Sequence, residues 1–414
     1  MSNIKQINLD NGLKIVLNRD NKKHHVHATI IVNAGANNNE FYVNNKKVIQ
    51  PYGVAHFLEH YLIERSIYGN LSNIFSKDYV NSNGYTSNDR TVYFIDTVHD
   101  FKENFIKLLN LVNNPKFDEE SVELTKKPIV AEINRKNDNK NIAFMDCVFK
   151  SVFKTKYFNI GLGNPDDILN MNINTLKDFY DAFYRPENQM IILTGNFPKN
   201  IVSLIKKEYA NFNYKKIKVK RVPIIENDKV IKKRSIYSGE LKESFFNITY
   251  KINLSKLTPL EKNKLDYYFG YLLQTNFGEE SKLFNYLIQN KLSLYAIDYN
   301  FNPKTVGDYL LISFVCYTNE FDKVIKLIND KFNNLEIEDK TFTTWKNQSI
   351  IGNINNFEKI NWITDNFINN VLLYNLYQVD DVNFIKNLNI KECKTLLNKI
   401  DKSNYSIVKN IYNK

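Results

Sequence analysis

The chain has 414 residues, too many for one ordinary hydrophobic core, so two domains are expected. A hydrophobic fraction of 43% and a charged fraction of 24% are those of a globular protein, and no apolar run approaches the ~18 residues of a membrane span. The net charge of +11 raises the question of nucleic acid, but the lysines are scattered and no zinc-finger spacing or base-stacking aromatic motif accompanies them, so no nucleic-acid partner is expected.

Asn11-Gly12 is a strong turn dipeptide between Ile7-Asn8-Leu9 and Leu13-Lys14-Ile15-Val16-Leu17, which predicts an opening hairpin. The start, Met1 to Gln6, has no apolar core of a signal peptide. Cys147, Cys316 and Cys393 are few and widely spaced, as free thiols are, and a cytoplasmic location is expected. Residues 26–32 read as a strand. Alternation turns His25 and His27 one way, but no acidic third ligand adjoins the His24, His25, His27 cluster, which reads as surface.

After a long polar loop comes Gly53-Val54-Ala55-His56-Phe57-Leu58-Glu59-His60, which contains the array H-x-x-E-H. On a helix, positions i, i+3 and i+4 share one face, so His56, Glu59 and His60 converge. Two neutral imidazoles there suit a divalent metal, zinc above all, with the carboxylate beside a metal-activated water. The alternative is a helix with two ordinary surface histidines. Three protein ligands are needed for a catalytic zinc site. The best remaining candidate is Glu132, in Ile129-Val130-Ala131-Glu132-Ile133, 72 positions past His60; pattern alone leaves an ordinary surface glutamate open as well.

Residues 91–96 read as a strand. Asp100 and Glu103 fit a capping box for a helix carrying Phe101, Phe105, Leu108, Leu109 and Val112. A helical segment over 118–137 contains Pro128, which should kink or restart it. Residues 190–194 close the first half as a strand. The basic stretch 214–233, with the run Lys215-Lys216-Ile217-Lys218-Val219-Lys220-Arg221, reads as a solvated linker rather than a phosphate-binding patch. Strand, helix, strand, helix then return at 245–250, 260–274, 309–315 and 320–334. The expected organisation is a first domain over 1–213, a linker over 214–233 and a second domain over 234–414, related by internal duplication.

Several blocks together resemble the pitrilysin, insulysin and mitochondrial processing peptidase family, most closely its small bacterial two-domain processing peptidases. They are Leu9-Asp10-Asn11-Gly12-Leu13, the segment Gly53 to His60, Asn83-Gly84-Tyr85-Thr86 with Thr91-Val92-Tyr93, and Ile129 to Ile133. Phe183-Tyr184-Arg185-Pro186-Glu187-Asn188 with Leu193-Thr194-Gly195-Asn196, and Ser281-Lys282-Leu283-Phe284 with Tyr295, complete the set. The resemblance implies an α+β fold of two similar domains, each a mostly antiparallel sheet backed by helices. It implies zinc on His56, His60 and Glu132, Glu59 as general base, Tyr295 as oxyanion donor, and a zinc endopeptidase acting on small or unfolded peptides. A substrate strand would add beside 91–96, with Asn83 either holding its backbone or serving as an ordinary turn asparagine.

Three departures from the family stand out. A second glutamate usually seven positions before the third ligand, which helps to orient a motif histidine, is Thr125 here, leaving Glu123 as a stand-in. Pro128 lies in the third-ligand helix. The second-half arginine that grips substrate is Ile288, and the nearby Lys291 offers a point charge rather than a bidentate fork. These features point to a heterodimer in which a homologous subunit supplies the Arg and Tyr. A homodimer is the other enzymatic arrangement, and a non-catalytic scaffold of the same fold is the alternative from another class.

Overall fold

The structure is a computed structural model describing residues 4–77, 79–154, 161–223, 225–239, 241–293, 298–306, 308–356, 359–362, 364–366, 368 and 381–412. It divides into two compact units, one of Met1–Asp138, Tyr157–Pro223 and Ile360–Thr364, the other of Asn139–Lys156, Ile224–Lys359 and Asp365–Lys414. No helix among the described residues is long and apolar enough to cross a membrane.

The first unit is built on strands β1 (Ile4–Asn8), β2 (Lys14–Arg19), β3 (Val26–Val32), β6 (Asn81–Thr86), β7 (Thr91–Thr97) and β8 (Gln189–Gly195). They form one sheet in the order β1-β2-β8-β3-β7-β6, antiparallel at every contact except β2 with β8. The Asn11-Gly12 turn closes the β1–β2 hairpin as expected, with Asn11 Oδ1 accepting from the Leu13 N–H at 3.2 Å. Along β3 the period of two sends Val26, Ala28, Ile30 and Val32 into the core. That core is closed by helices α1 (Val54–Glu64), α3 (Phe101–Asn113), α4 (Glu119–Asn137), α7 (Ile173–Phe183) and α8 (Ile201–Asn211), while α2 (Leu71–Lys77) leads into β6 and α6 (Pro165–Leu169) adjoins α4.

Three local expectations change, and of the kink or restart expected at Pro128 the restart does not occur. The polar loop before α1 contains a hairpin of β4 (Glu40–Val43) and β5 (Lys46–Ile49), turned by Asn44 and Asn45, both left-handed at φ 47° and 68°. Such a pair suits a two-residue turn matched to strand twist. Part of the basic linker is strand β9 (Val219–Arg221), which pairs with β4. Asp100 makes no capping bond because its own backbone is left-handed, at φ 47°, whereas an N-cap needs extended geometry. Helix α4 runs through Pro128; the proline is exposed, so the carbonyl it deprives of a partner, at exposed Leu124, can turn to water.

The second unit holds β10 (Arg234–Tyr237), β11 (Phe245–Asn253), β12 (Asp298–Val306), β13 (Tyr309–Tyr317) and β14 (Tyr405–Asn410). Their order is β10-β14-β11-β13-β12, and only β10 with β14 is parallel. This repeats β2-β8-β3-β7-β6 strand for strand, so the duplication extends to pairing direction and order. Helices α9 (Pro259–Phe277), α10 (Lys282–Gln289), α11 (Phe321–Asn333) and α12 (Asp339–Asn356) belong to this unit. Thr258 and Glu261 form a reciprocal capping box at the start of α9.

Helix α5 (Lys140–Val152) is the chief departure from a boundary at residue 213, because it belongs to the second unit. Its Phe144 and Val148 pack against Phe245 of β11 and Val408 of β14. The end of α5 is fixed by Lys251, whose side chain is fully buried on β11. Lys251 Nζ donates to the carbonyls of Val152 at 3.3 Å and Asn227 at 2.6 Å and to Glu226 Oε1 at 3.2 Å. It also sits 4.6 Å from the ring centres of Phe153 and Tyr309. Burial lowers the lysine's pKa, against the opposing pull of Glu226. Removing one member of a buried pair strands the other. Lys251→Ala should therefore cost about 3–5 kcal/mol in urea unfolding of the second unit. The double variant Lys251→Met/Glu226→Gln should recover most of that loss, and equal losses in both variants would contradict the pairing.

Candidate metal centre

Helix α1 starts at a backbone crossing. Gly53, at φ 85°, precedes it, and a Cβ there would lie 2.5 Å from the carbonyl oxygen of Leu162. Gly163, at φ 79°, would likewise press on the Tyr52 carbonyl at 2.4 Å. Only glycines let the two segments touch while holding left-handed backbone. The helix then buries Val54, Ala55, Phe57, Leu58, Tyr61 and Leu62, and with them His56 and Glu59, 7% and 6% exposed. Tyr61 reaches across to the turn before α4: its hydroxyl donates to the Lys116 carbonyl at 2.8 Å and accepts from the Asp118 N–H at 3.0 Å.

That anchoring brings Glu132 on α4 to the motif. Glu132 Oε2 lies 3.4 Å from His60 Nε2 and 3.8 Å from His56 Nε2. The rings of His56 and His60 meet edge to face, 4.6 Å between centres. His56, Glu59 and His60 offer polar atoms that all lie within 4.8 Å of one another. Tetrahedral zinc with bonds of about 2.0–2.1 Å holds neighbouring ligand atoms about 3.3 Å apart. The Glu132 oxygen stands near that spacing from His60 Nε2 and 0.4 Å farther from His56 Nε2, so these three residues fit a divalent ion.

The charges around this point are shaped by burial. Desolvation, with His60 and Lys136 nearby, lowers the pKa of His56 to about 3, so its ring is neutral. Desolvation pushes Glu59 up to about 7, against the pull of His60 and a hydrogen bond from Thr86 Oγ1 to Glu59 Oε2 at 3.2 Å. For His60, burial opposes protonation but is outweighed by the bond to Glu64 and the charges of Glu59, Glu64 and Glu132, which raise its pKa. Gly84 on β6 leaves room for the other carboxylate oxygen: a Cβ there would lie 3.3 Å from Glu59 Oε1.

The four residues expected at a metal site thus meet, whereas other expectations shift. The edge of the sheet beside α1 is β6, not the strand over 91–96, because β7 is paired on both sides. Asn83 is exposed on that edge strand and accepts a hydrogen bond from the Gly84 N–H at 2.8 Å; the β6 residues that reach Glu59 are Gly84 and Thr86. Tyr295 lies outside the described residues. Ile288 is exposed on α10, and Lys291 follows that helix at φ 51°. Glu123 does not serve the histidines: it is exposed and paired with Lys126.

His27 is not a surface residue. It is buried, with Nδ1 2.7 Å from Asp96 Oδ1 and Nε2 2.8 Å from Thr29 Oγ1, because β7 brings an acid alongside that short-range sequence reading could not see. Two residues near the motif went unassigned in the sequence, Thr86 and Glu64. Glu64 was visible as a carboxylate four positions past His60, the spacing of helix neighbours, and its Oε1 is 3.1 Å from His60 Nδ1.

Residues 14–166 match Insulinase (Peptidase family M16), and residues 170–348 match Peptidase M16 inactive domain. The metal-centre residues fall in the first of these segments; all six histidines lie between His24 and His99, so the second has none. The chain is 27% identical over 290 residues to the zinc protease YmfH of Bacillus subtilis, covering 68% of this chain and 67% of that protein. It spans about half the length of two further zinc proteases it matches, 51% and 48%. An M16-like peptidase from Alicyclobacillus acidocaldarius shares the fold at 17% identity with a TM-score of 0.86, over 99% of this chain and 98% of that one. The periplasmic protease PqqL of Escherichia coli matches 99% of this chain at 16% identity and a TM-score of 0.75, with 48% of its own chain covered. Two matched segments spanning most of the sequence, on a duplicated α+β fold, place this chain in the M16 (insulinase) family of peptidases.

Proposed function

We propose that the chain is a zinc-dependent endopeptidase of small or unfolded peptides, with His56, His60 and Glu132 as ligands and Glu59 as general base. One observation carries the reading: two imidazole nitrogens converge on the Glu132 carboxylate beside a second, buried carboxylate whose pKa sits near 7. Bound zinc would supply Lewis acidity and bring the pKa of a water toward ~7.

The chain's own groups do the rest. Thr86 holds one oxygen of Glu59, which leaves Oε1, beside Gly84, to take a proton from the attacking water and deliver it to the leaving amine. The edge strand β6 offers unpaired backbone for an extended peptide to join, with Asn83 exposed along it. Tyr295 is the proposed donor to the developing oxyanion.

The exposed Ile288, where family members carry arginine, supports a working unit larger than this chain. So does the fact that the chain spans 48% of PqqL. We place it as the zinc subunit of a heterodimer whose homologous partner supplies the Arg and Tyr. Its three unpaired cysteines support a cytoplasmic setting.

The deciding experiment measures zinc content and peptide hydrolysis for wild type and Glu59→Gln, each alone and with candidate partner subunits. Stoichiometric zinc in both, with partner-dependent activity that falls by at least about 10²-fold in Glu59→Gln, is the expected result. Full turnover by the chain alone rules out the heterodimer and leaves a homodimer or monomer. Zinc without activity in any pairing makes the scaffold reading the better one.

Two pH effects follow. A histidine must be neutral to ligate, and the neighbouring carboxylates, which raise the pKa of His60 against its burial, hold its proton to higher pH than an ordinary imidazole keeps one. Zinc affinity should therefore climb as pH rises through and beyond 6.5, with proton release on binding read by calorimetry in buffers of different ionisation heat; a pH-independent affinity contradicts it. Thr86→Val removes a bond that favours ionised Glu59. The acid limb of kcat/KM should then move to higher pH relative to wild type, and an unmoved limb would separate Thr86 from the base.

A further inference from the structure

The two motif histidines are supported differently. His56 is fixed by packing: its ring is buried, and its Nδ1 has no hydrogen-bond partner among the described residues. The His60 side chain is 23% exposed and less confined. Behind it stands Glu64, one helical turn on, with Oε1 3.1 Å from Nδ1. An ionised carboxylate can only accept, so the ring donates from Nδ1 and, once neutral, keeps its lone pair on Nε2. Nε2 is the nitrogen that faces Glu132. Glu64 and Glu132 therefore address opposite nitrogens of one ring, which excludes Glu64 as a competing ligand at the same point.

Among the described residues, the carboxylate expected to do this from α4 does not. Glu123 is paired with Lys126 on the exposed side of α4, and Thr125 is buried with its hydroxyl donated to the Ser121 carbonyl. We propose that Glu64 is the positioning residue of this metal centre, selecting the His60 tautomer and aiming Nε2 at the ion from within the same helix as the ligands. The inference rests on the zinc reading above. Its structural consequence is local: orientation comes from an i, i+4 contact inside α1, so the registry of α4 need only deliver Glu132.

The test is zinc affinity by chelator competition for wild type, Glu64→Ala and Glu64→Gln, at alkaline pH so that protons do not compete for His60. Thermal unfolding of the chelated proteins runs beside it. Partners that orient metal-binding histidines are worth 10–100-fold in affinity. Glu64→Ala should weaken zinc by about that factor without moving the unfolding of the metal-free protein, and Glu64→Gln, which keeps an acceptor but loses the charge, should fall between. In the zinc form, ¹⁵N NMR should show a slowly exchanging His60 Nδ1–H in wild type that is lost in Glu64→Ala. Affinity within threefold of wild type in Glu64→Ala, with wild-type protein binding zinc, overturns the positioning role and leaves the zinc site intact. Failure of wild type to bind zinc overturns the site itself. If Glu64→Ala alters the metal-free protein, the isosteric Glu64→Gln decides: unchanged affinity and exchange there overturn the proposal.

Discussion

The Tyr61 hydroxyl, shared between the Lys116 carbonyl and the Asp118 N–H, is the contact on which the metal centre depends. It fixes where α4 begins relative to α1. Glu132 lies fourteen positions past Asp118, about 21 Å along a helix rising 1.5 Å per residue. A small error of angle at the start of α4 would carry the carboxylate past its target. Burial of Tyr61 and of the apolar face of α1 makes that angle rigid, and the glycine crossing at Gly53 and Gly163 sets where α1 starts. Geometry and hydrophobic packing are therefore one problem here.

The second constraint is electrostatic. Glu59, Glu64 and Glu132 gather around two imidazoles, one of them held neutral by burial. Burial raises the proton affinity of Glu59, and the three carboxylates raise that of His60 against its own burial. A divalent ion would displace those protons, so metal uptake and proton release are two sides of one balance. The site is built from groups that are uncomfortable together, and that discomfort is what favours a positive ion.

Much of this was legible in the sequence because it is local. The Asn11-Gly12 turn, the alternation of β3, the apolar face of α3 and the i, i+3, i+4 array on α1 each follow from a few neighbouring residues. The two halves could be matched by the order of their elements. Illegible features were those decided at long range. β8, chosen 157 positions after β3, inserts between β2 and β3, and β6 rather than β7 becomes the free edge. His27 looked exposed because Asp96 joins it only through strand pairing. The hairpin at Asn44-Asn45 carried its signal in plain view, masked by polar composition. The histidine's orienting carboxylate was sought on α4 when it lay one turn along α1.

Helix α5 adds a temporal dimension. It is made before any strand of the sheet it packs on, and Val408, which meets its apolar face, is translated some 260 residues after Val148. At roughly 5–20 residues per second, Phe144 and Val148 wait on the order of ten seconds to a minute for that partner. During synthesis the nascent chain thus carries an uncovered hydrophobic helix between two segments of the first unit. A chain read in this order leaves that helix face open to chaperones in stages, until β11 brings Phe245 and then β14 brings Val408.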